Sequence, residues 1–154
     1  MTGMDVAKLM KPETARVIVA DLDLFDPQGI ILLSYATAHG GTDLAKLRAA
    51  HECAHAIQWV QGRASFVFWR VMKPVAWPLL GVTLALAGLI SRTHALPALS
   101  FCAVVAVLRY YATLWLEKDA WEIAFEWLKA YGVLDDEKKA RQDAEAMLNS
   151  YRTR

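Results

Sequence analysis

Residues 44–58, with the sequence LAKLRAAHECAHAIQ, contain the pattern H-E-x-x-H, formed by His51, Glu52 and His55. The stretch is rich in helix-forming residues, and on a helix residues four apart lie on one face. Both imidazoles could therefore bind one ion, while Glu52, about 100° around the helix, could hold a water beside it. The alternative is a pair of ordinary helical histidines, and the remaining sequence has to distinguish the two.

The sequence around the motif predicts where this helix begins and ends. Thr42 is suited to cap its N-terminus, Asp43 lies in the first turn, and Gly62 can end it. The residues of its inward face recur at helical spacing: Leu44, Leu47, His51, His55 and Gln58. Both histidines thus continue the apolar face. A buried neutral imidazole needs partners for both ring nitrogens, and a metal supplies one of them.

Length and composition indicate one domain with a core. The chain has 154 residues, of which 56% are hydrophobic, and a formal net charge of +1. This balance gives no reason to expect a nucleic-acid partner. Cys53 lies in the motif and Cys102 in an apolar run, so neither a disulfide framework nor a thiolate zinc site is indicated. The N-terminal residues do not have the pattern of a signal peptide.

The region before the motif predicts a little β structure. A short helix is expected over residues 5–10, followed by a strand over 16–24, a turn at 25–29 and a second apolar strand at 30–33. A β-hairpin is the simplest interpretation. With the helices that follow, the predicted fold is mainly α with a small N-terminal β-hairpin.

Two apolar runs follow the motif helix, at residues 74–90 and 95–108, with a short break at 91–94. They predict a helical hairpin over residues 74–116, inserted within a single domain of residues 1–154. A soluble core hairpin is one interpretation, because the first run is near the lower length limit for spanning a bilayer and Arg109 interrupts the second. A transmembrane hairpin is the favoured one, because aromatic and basic residues flank one end: Trp77, Tyr110, Tyr111, Arg63, Arg70, Lys73 and Arg109. These flanks predict that the termini and the motif lie in the cytoplasm.

The second helix of this hairpin is expected to run on to about Gly132, before a last helix at 137–151, and Glu117 is an acid on its apolar stripe. A carboxylate there is costly unless it is paired or bound to a cation. An ion pair with Arg48 or Arg109 is one explanation. The other is a metal ion shared with His51 and His55, because catalytic zinc takes three protein ligands and leaves a position for water.

The chemistry implied by these residues is hydrolytic. A zinc ion held by His51, His55 and Glu117 would lower the pKa of its bound water and stabilise an oxyanion. Glu52 would act as the general base and pass the proton to a leaving amine. Other divalent ions can also occupy a site of imidazoles and a carboxylate.

Residues 49–58, AAHECAHAIQ, together with two apolar segments and Leu116-Glu-Lys-Asp-Ala120, resemble the bacterial membrane-associated neutral zinc metallopeptidases, a gluzincin-like family. The resemblance implies a minimal zincin-like fold, one catalytic Zn²⁺, and a peptide or protein substrate. It implies His51, His55 and Glu117 as ligands and Glu52 as base, with Asp119 of the E-x-D-A motif as a supporting residue. It also implies a location in the bacterial inner membrane.

The same resemblance implies that the strand before the motif helix holds an extended substrate by strand addition, through Ile30, Ile31, Leu32 and Leu33. Two residues depart from the family pattern. Ala54 replaces a common glycine, and Trp121 stands where a small or acidic residue is usual, which puts the pocket size in doubt. A protein that keeps the family fold without proteolysis, as a metal-binding or interaction protein, is therefore the alternative function.

Overall fold

The computed structural model describes residues 1–89 and 92–152. Within them the chain forms six helices and three short strands, in the order α1 Gly3–Met10, β1 Arg16–Ala20, β2 Leu24–Asp26, β3 Ile30–Ser34, α2 Tyr35–His39, α3 Asp43–Gln61, α4 Ala64–Leu89, α5 Arg92–Ala130 and α6 Glu137–Arg152. The predicted fold class, mainly α with a small β part at the N-terminus, is confirmed. Of the predicted break at 91–94, residue 91 lies outside the described residues, and α5 already begins at Arg92.

The three strands form one sheet in the order β1-β3-β2, with β1 parallel and β2 antiparallel to β3. The prediction of a single strand over 16–24 is wrong, because β1 ends at Ala20 and β2 is a separate strand. Asp23 explains the break between them. Its carboxylate accepts hydrogen bonds from the Ser34 backbone N–H at 2.6 Å and from the Thr37 hydroxyl at 2.8 Å, which ties residue 23 to the end of β3. The predicted hairpin is therefore formed by β2 and β3.

The motif helix α3 has the predicted ends. The Thr42 side chain accepts a hydrogen bond from the Ala45 N–H, and Gly62 ends the helix with φ of 59°, a left-handed conformation that glycine adopts without strain. Helix α1 and strands β2 and β3 pack on α3. Their fully buried side chains form the core around the motif: Val6, Ala7, Ile31, Leu33 and Leu47.

The chain divides into two compact units. Unit 1 comprises Met1–Arg63 and Glu117–Arg154, and it contains the sheet and α3. Unit 2 comprises Ala64–Leu116, and its large apolar side chains include many that are exposed, such as Val71, Val104 and Val107. Among the described residues one helical segment, Leu99–Ala130, is long and apolar enough to cross a membrane.

Candidate metal centre

Helix α3 and helix α5 bring the three predicted ligands together. His51 and His55 lie one turn apart on α3 and are buried, with 4% and 8% of their surface exposed. Their Nε2 atoms are 3.1 Å apart. Glu117 reaches them from α5, with its Oε2 3.1 Å from Nε2 of His51 and 3.7 Å from Nε2 of His55. An acid on this apolar stripe had two explanations, a pairing with an arginine or a site shared with the histidines. The contacts of Glu117 with His51 and His55 agree with the second.

These three atoms fit a metal ion. A triangle with sides of 3.1, 3.1 and 3.7 Å has a point about 1.9 Å from each corner, near the ~2.0–2.2 Å of zinc bonds to imidazole and carboxylate. The Oε2 atom of Glu117 is also buried and has no hydrogen-bond partner in the described part of the chain. A cation would satisfy it. His51, His55 and Glu117 could thus hold a metal, and three ligands leave a coordination position open.

Glu52 lies between the two histidines in the sequence and is partly buried. The pKa of its carboxyl group is raised to about 7, mainly by burial and also by the negative charges of Glu117 and Asp23, whereas His55 and a hydrogen bond from the Phe25 backbone N–H act in the opposite direction. The predicted base therefore faces the metal ligands on one side and β2 on the other.

The two histidines differ in how readily they take up a proton. Burial lowers the pKa of His51 to about 4, although the Glu117 carboxylate opposes this change. For His55 burial also lowers the pKa, but the contacts with Glu117, Glu52 and Gln58 outweigh it and the net pKa is raised. His51 is accordingly a neutral imidazole near pH 7, the form that binds metals.

His55 is held by a chain of three further side chains. Its Nδ1 lies 2.8 Å from Oε1 of Gln58, and Nε2 of Gln58 donates to Oδ2 of Asp119 at 2.8 Å. The other carboxylate oxygen of Asp119 accepts from Arg63 at 2.9 Å. Asp119 therefore supports a ligand at one remove, through Gln58. The roles of Gln58 and Arg63 were not predicted, although Gln58 was placed on the inward face of α3 three residues after His55.

His51 is held differently. Its ring stacks on the indole of Trp121, with the ring centroids 3.9 Å apart and the planes 25° from parallel. Nδ1 of His51 and Nε1 of Trp121 are buried and have no hydrogen-bond partner in the described part of the chain. Trp121, noted in the sequence as a departure from the family pattern, thus lies directly against a predicted ligand and is itself 7% exposed.

The prediction that a substrate is held along Ile30, Ile31, Leu32 and Leu33 by strand addition conflicts with the sheet order at residues 30–32. Strand β3 is the central strand, paired with β1 along its whole length and with β2 at residues 30–32. At residues 30–32 the strand therefore has a paired neighbour on each side, whereas strand addition requires backbone N–H and C=O groups without a partner. The strand order depends on long-range pairing, and the apolar pattern of residues 30–33 suits a central strand and an edge strand alike.

Comparison with known proteins gives one result. The family model described as "Putative neutral zinc metallopeptidase" matches residues 1–151. Searches among curated proteins and among solved structures gave no significant match. Because the matched range covers nearly the whole chain and contains the His51, His55 and Glu117 cluster, this protein belongs to the neutral zinc metallopeptidase family of that description.

Proposed function

We propose that this protein is a zinc-dependent peptidase that hydrolyses peptide bonds. The observation that carries the proposal is the cluster of His51, His55 and Glu117, in which two imidazoles and one carboxylate meet within 3.1–3.7 Å. Structural zinc sites usually have four ligands and are rich in cysteine, whereas a catalytic site has three ligands and an open position. The cluster also carries the expected base, Glu52, on the same helix.

The residues around the cluster suit the steps of hydrolysis. A zinc ion, when bound, would polarise the scissile carbonyl and make water a stronger nucleophile. Glu52 accepts a proton from the attacking water, whose oxygen forms the new bond to the carbonyl carbon. Glu52 then gives that proton to the amine nitrogen as the carbon–nitrogen bond breaks. The backbone N–H of Phe25 steadies the Glu52 carboxylate during both transfers.

We place the substrate along β2 instead of β3. Among the described strands, Leu24–Asp26 is paired with β3 on one side only. Phe25, in the middle of β2, directs its backbone N–H to Glu52. An extended peptide bound beside β2 would therefore run past the base.

The membrane location is part of the same proposal. Unit 2 carries exposed Val71, Val104, Val107 and Phe101, and α5 contains a segment long enough to span a bilayer. We propose that residues 74–116 form a transmembrane hairpin, inserted in one zincin-like domain of the bacterial inner membrane. The basic residues of the flanks would keep unit 1 in the cytoplasm.

The test combines metal analysis with peptide digestion. The full chain, purified in detergent with zinc, is incubated with a peptide library that includes fragments of membrane proteins. The unmodified protein is expected to cleave, and Glu52→Gln is expected to keep one zinc ion per chain and lose about 10²–10⁴-fold in rate. The exposed Glu122→Gln on α5 is the matched control and should cleave normally. Full activity of Glu52→Gln would contradict the mechanism.

One observation favours a second function, a metal-binding protein without proteolysis. The Trp121 indole lies against His51, in a position where the family usually has a small or acidic residue, and it restricts the space beside the ligand. Under this alternative the chain binds zinc with its three ligands but cleaves no peptide. Restored cleavage in Trp121→Ala would show that the indole blocks the substrate, whereas inactivity of both proteins, each loaded with zinc, would favour the alternative.

A further inference from the structure

Four side chains of unit 1 are linked by hydrogen bonds in a series that ends at a predicted metal ligand: Arg63, Asp119, Gln58 and His55. Its three links measure 2.9, 2.8 and 2.8 Å. Gln58 is fully buried and His55 nearly so. In such surroundings each donor has to meet an acceptor, because an unpaired polar group is costly.

The donor and acceptor groups of these four side chains allow only one arrangement of the hydrogen bonds. The Asp119 carboxylate, held by Arg63, can only accept hydrogen bonds, so the NH₂ group of Gln58 has to face it. The amide oxygen of Gln58 then faces His55, and an amide oxygen also only accepts. His55 must therefore carry its proton on Nδ1. In the neutral ring Nε2 then keeps a lone pair, and Nε2 is the atom that lies beside His51 and Glu117.

We propose that Asp119 is a positioning residue that selects the tautomer of His55 through the Gln58 amide. A carboxylate two links away fixes the orientation of the amide, and the amide fixes which ring nitrogen can bind a metal. Zinc-binding histidines are usually oriented by a direct carboxylate or carbonyl partner. Here a neutral amide stands between them, so the ligand is oriented without a second negative charge in contact with the ring.

His51 provides a comparison within the same site. Its Nδ1 has no hydrogen-bond partner in the described part of the chain, and its ring is held by stacking on Trp121. The ring of His51 is linked to Asp119 only indirectly, through the 3.1 Å contact between the two Nε2 atoms. A change at Asp119 should therefore act first on His55, and on His51 only through His55.

The first measurement is nitrogen NMR of the metal-free full chain in detergent, labelled with ¹⁵N in its four histidines and recorded at a pH at which the ring of His55 is neutral. The ring shifts distinguish a protonated Nδ1 from a protonated Nε2. His55 in the unmodified protein is expected to be protonated on Nδ1. In Asp119→Asn the new side-chain amide can donate as well as accept, so Gln58 can turn over, and His55 should become a mixture of tautomers. Zinc affinity, measured by competition with a chromophoric chelator, should fall about 10–100-fold.

A double substitution then tests whether the order of donors and acceptors between Arg63 and His55 determines the tautomer of His55. In Gln58→Glu with Asp119→Asn, the carboxylate moves one position towards His55 and the amide moves away from it. The new carboxylate can accept from Nδ1–H of His55 and from the amide at 119, whose oxygen still accepts from Arg63. Both the tautomer and the zinc affinity should return towards those of the unmodified protein. Glu122→Gln, an exposed acid on the same helix, is the control for both measurements.

The proposal is overturned if His55 of the unmodified protein carries its proton on Nε2, or if Asp119→Asn changes neither tautomer nor affinity. Failure of the double variant to recover, when it is folded by circular dichroism, would also overturn it. The proposal rests on the metal site of the proposed function but not on peptidase activity. An Nδ1–H tautomer in a protein that cleaves no peptide would support the positioning role while contradicting the proposed function.

Discussion

The two units of the chain differ in which side chains they bury and which they expose. In unit 1 several buried polar side chains are paired with other side chains: Lys46, 5% exposed, contacts the carboxylates of Asp43 and Asp135 at 3.1 and 2.9 Å, and Gln58 joins His55 to Asp119. In unit 2 many of the large apolar side chains that the structure describes are exposed, among them Phe101, Val104 and Val107.

This difference indicates what each unit needs from its surroundings. Unit 1 encloses a polar site that could hold a cation. Unit 2 exposes aliphatic and aromatic side chains along its helices, and such surfaces are stable where lipid or another apolar partner covers them. The predictions below test the two halves of this comparison separately, beginning with the metal site.

The largest effect is expected from removing the ligand that α5 contributes. Glu117→Ala leaves two histidines, so zinc affinity should fall by more than the ~10–100-fold typical of losing a supporting residue. Elemental analysis and chelator competition on the purified full chain measure it. Glu122→Ala, on the same helix and exposed to solvent, should bind zinc normally. Equal zinc content in the two variants would show that Glu117 is not the third ligand.

The next effect concerns unit 2. Val104→Arg places a charge at a position where the native side chain is 55% exposed. A soluble protein tolerates such a surface substitution. At the centre of a bilayer an arginine costs about 2.5–3.5 kcal/mol. We therefore expect the variant to be depleted from the membrane fraction of expressing cells.

Ile18→Arg is the matched control, since Ile18 in β1 of unit 1 is 47% exposed. This variant should remain in the membrane as the unmodified protein does. Recovery of the unmodified protein in the aqueous fraction, without detergent, would contradict the membrane proposal outright.

The smallest effect is on the stability of unit 1. Burial would raise the pKa of Asp43, but hydrogen bonds from the backbone N–H groups of Asp136 and Asp135 and from Lys46 outweigh it and lower the pKa. A lowered pKa means that the folded state binds the proton less readily, so the stabilisation is present above about pH 4 and is lost as the pH falls.

Asp43→Asn should therefore lower the free energy of unfolding by about 1–2 kcal/mol at pH 7 and by less near pH 3. Denaturant unfolding of the full chain in detergent at both pH values measures this. Asp143→Asn, an acid of α6, is the control. An equal loss of stability at both pH values would show that Asp43 does not act through its charge.

The site could be predicted from the sequence because its signals are local. The spacing of His51 and His55, the capping residue Thr42 and the terminating Gly62 all lie within one helix, and α3 has the predicted bounds. Glu117 could be singled out because a buried acid on an apolar stripe needs a partner. Its contact with both histidines shows that this reasoning was sufficient to find a residue on another helix.

What could not be predicted depends on contacts distant in sequence. Strand β3 lies in the centre of the sheet because β1 pairs with it in parallel, and the sequence pattern does not encode that order. The bend at Asp23 arises from hydrogen bonds to Ser34 and Thr37, more than ten residues away. The link from Gln58 to Asp119 likewise joins residues far apart in sequence, so the support of His55 became visible only in three dimensions.

The central claim is that one metal ion lies between His51, His55 and Glu117. Anomalous diffraction at the zinc absorption edge, from crystals of the full chain purified in detergent with zinc, tests it most directly. We predict a single strong peak about 2.0–2.2 Å from Nε2 of each histidine and from Oε2 of Glu117. A peak bound by other residues, or none between these three atoms at full zinc loading, would contradict the account.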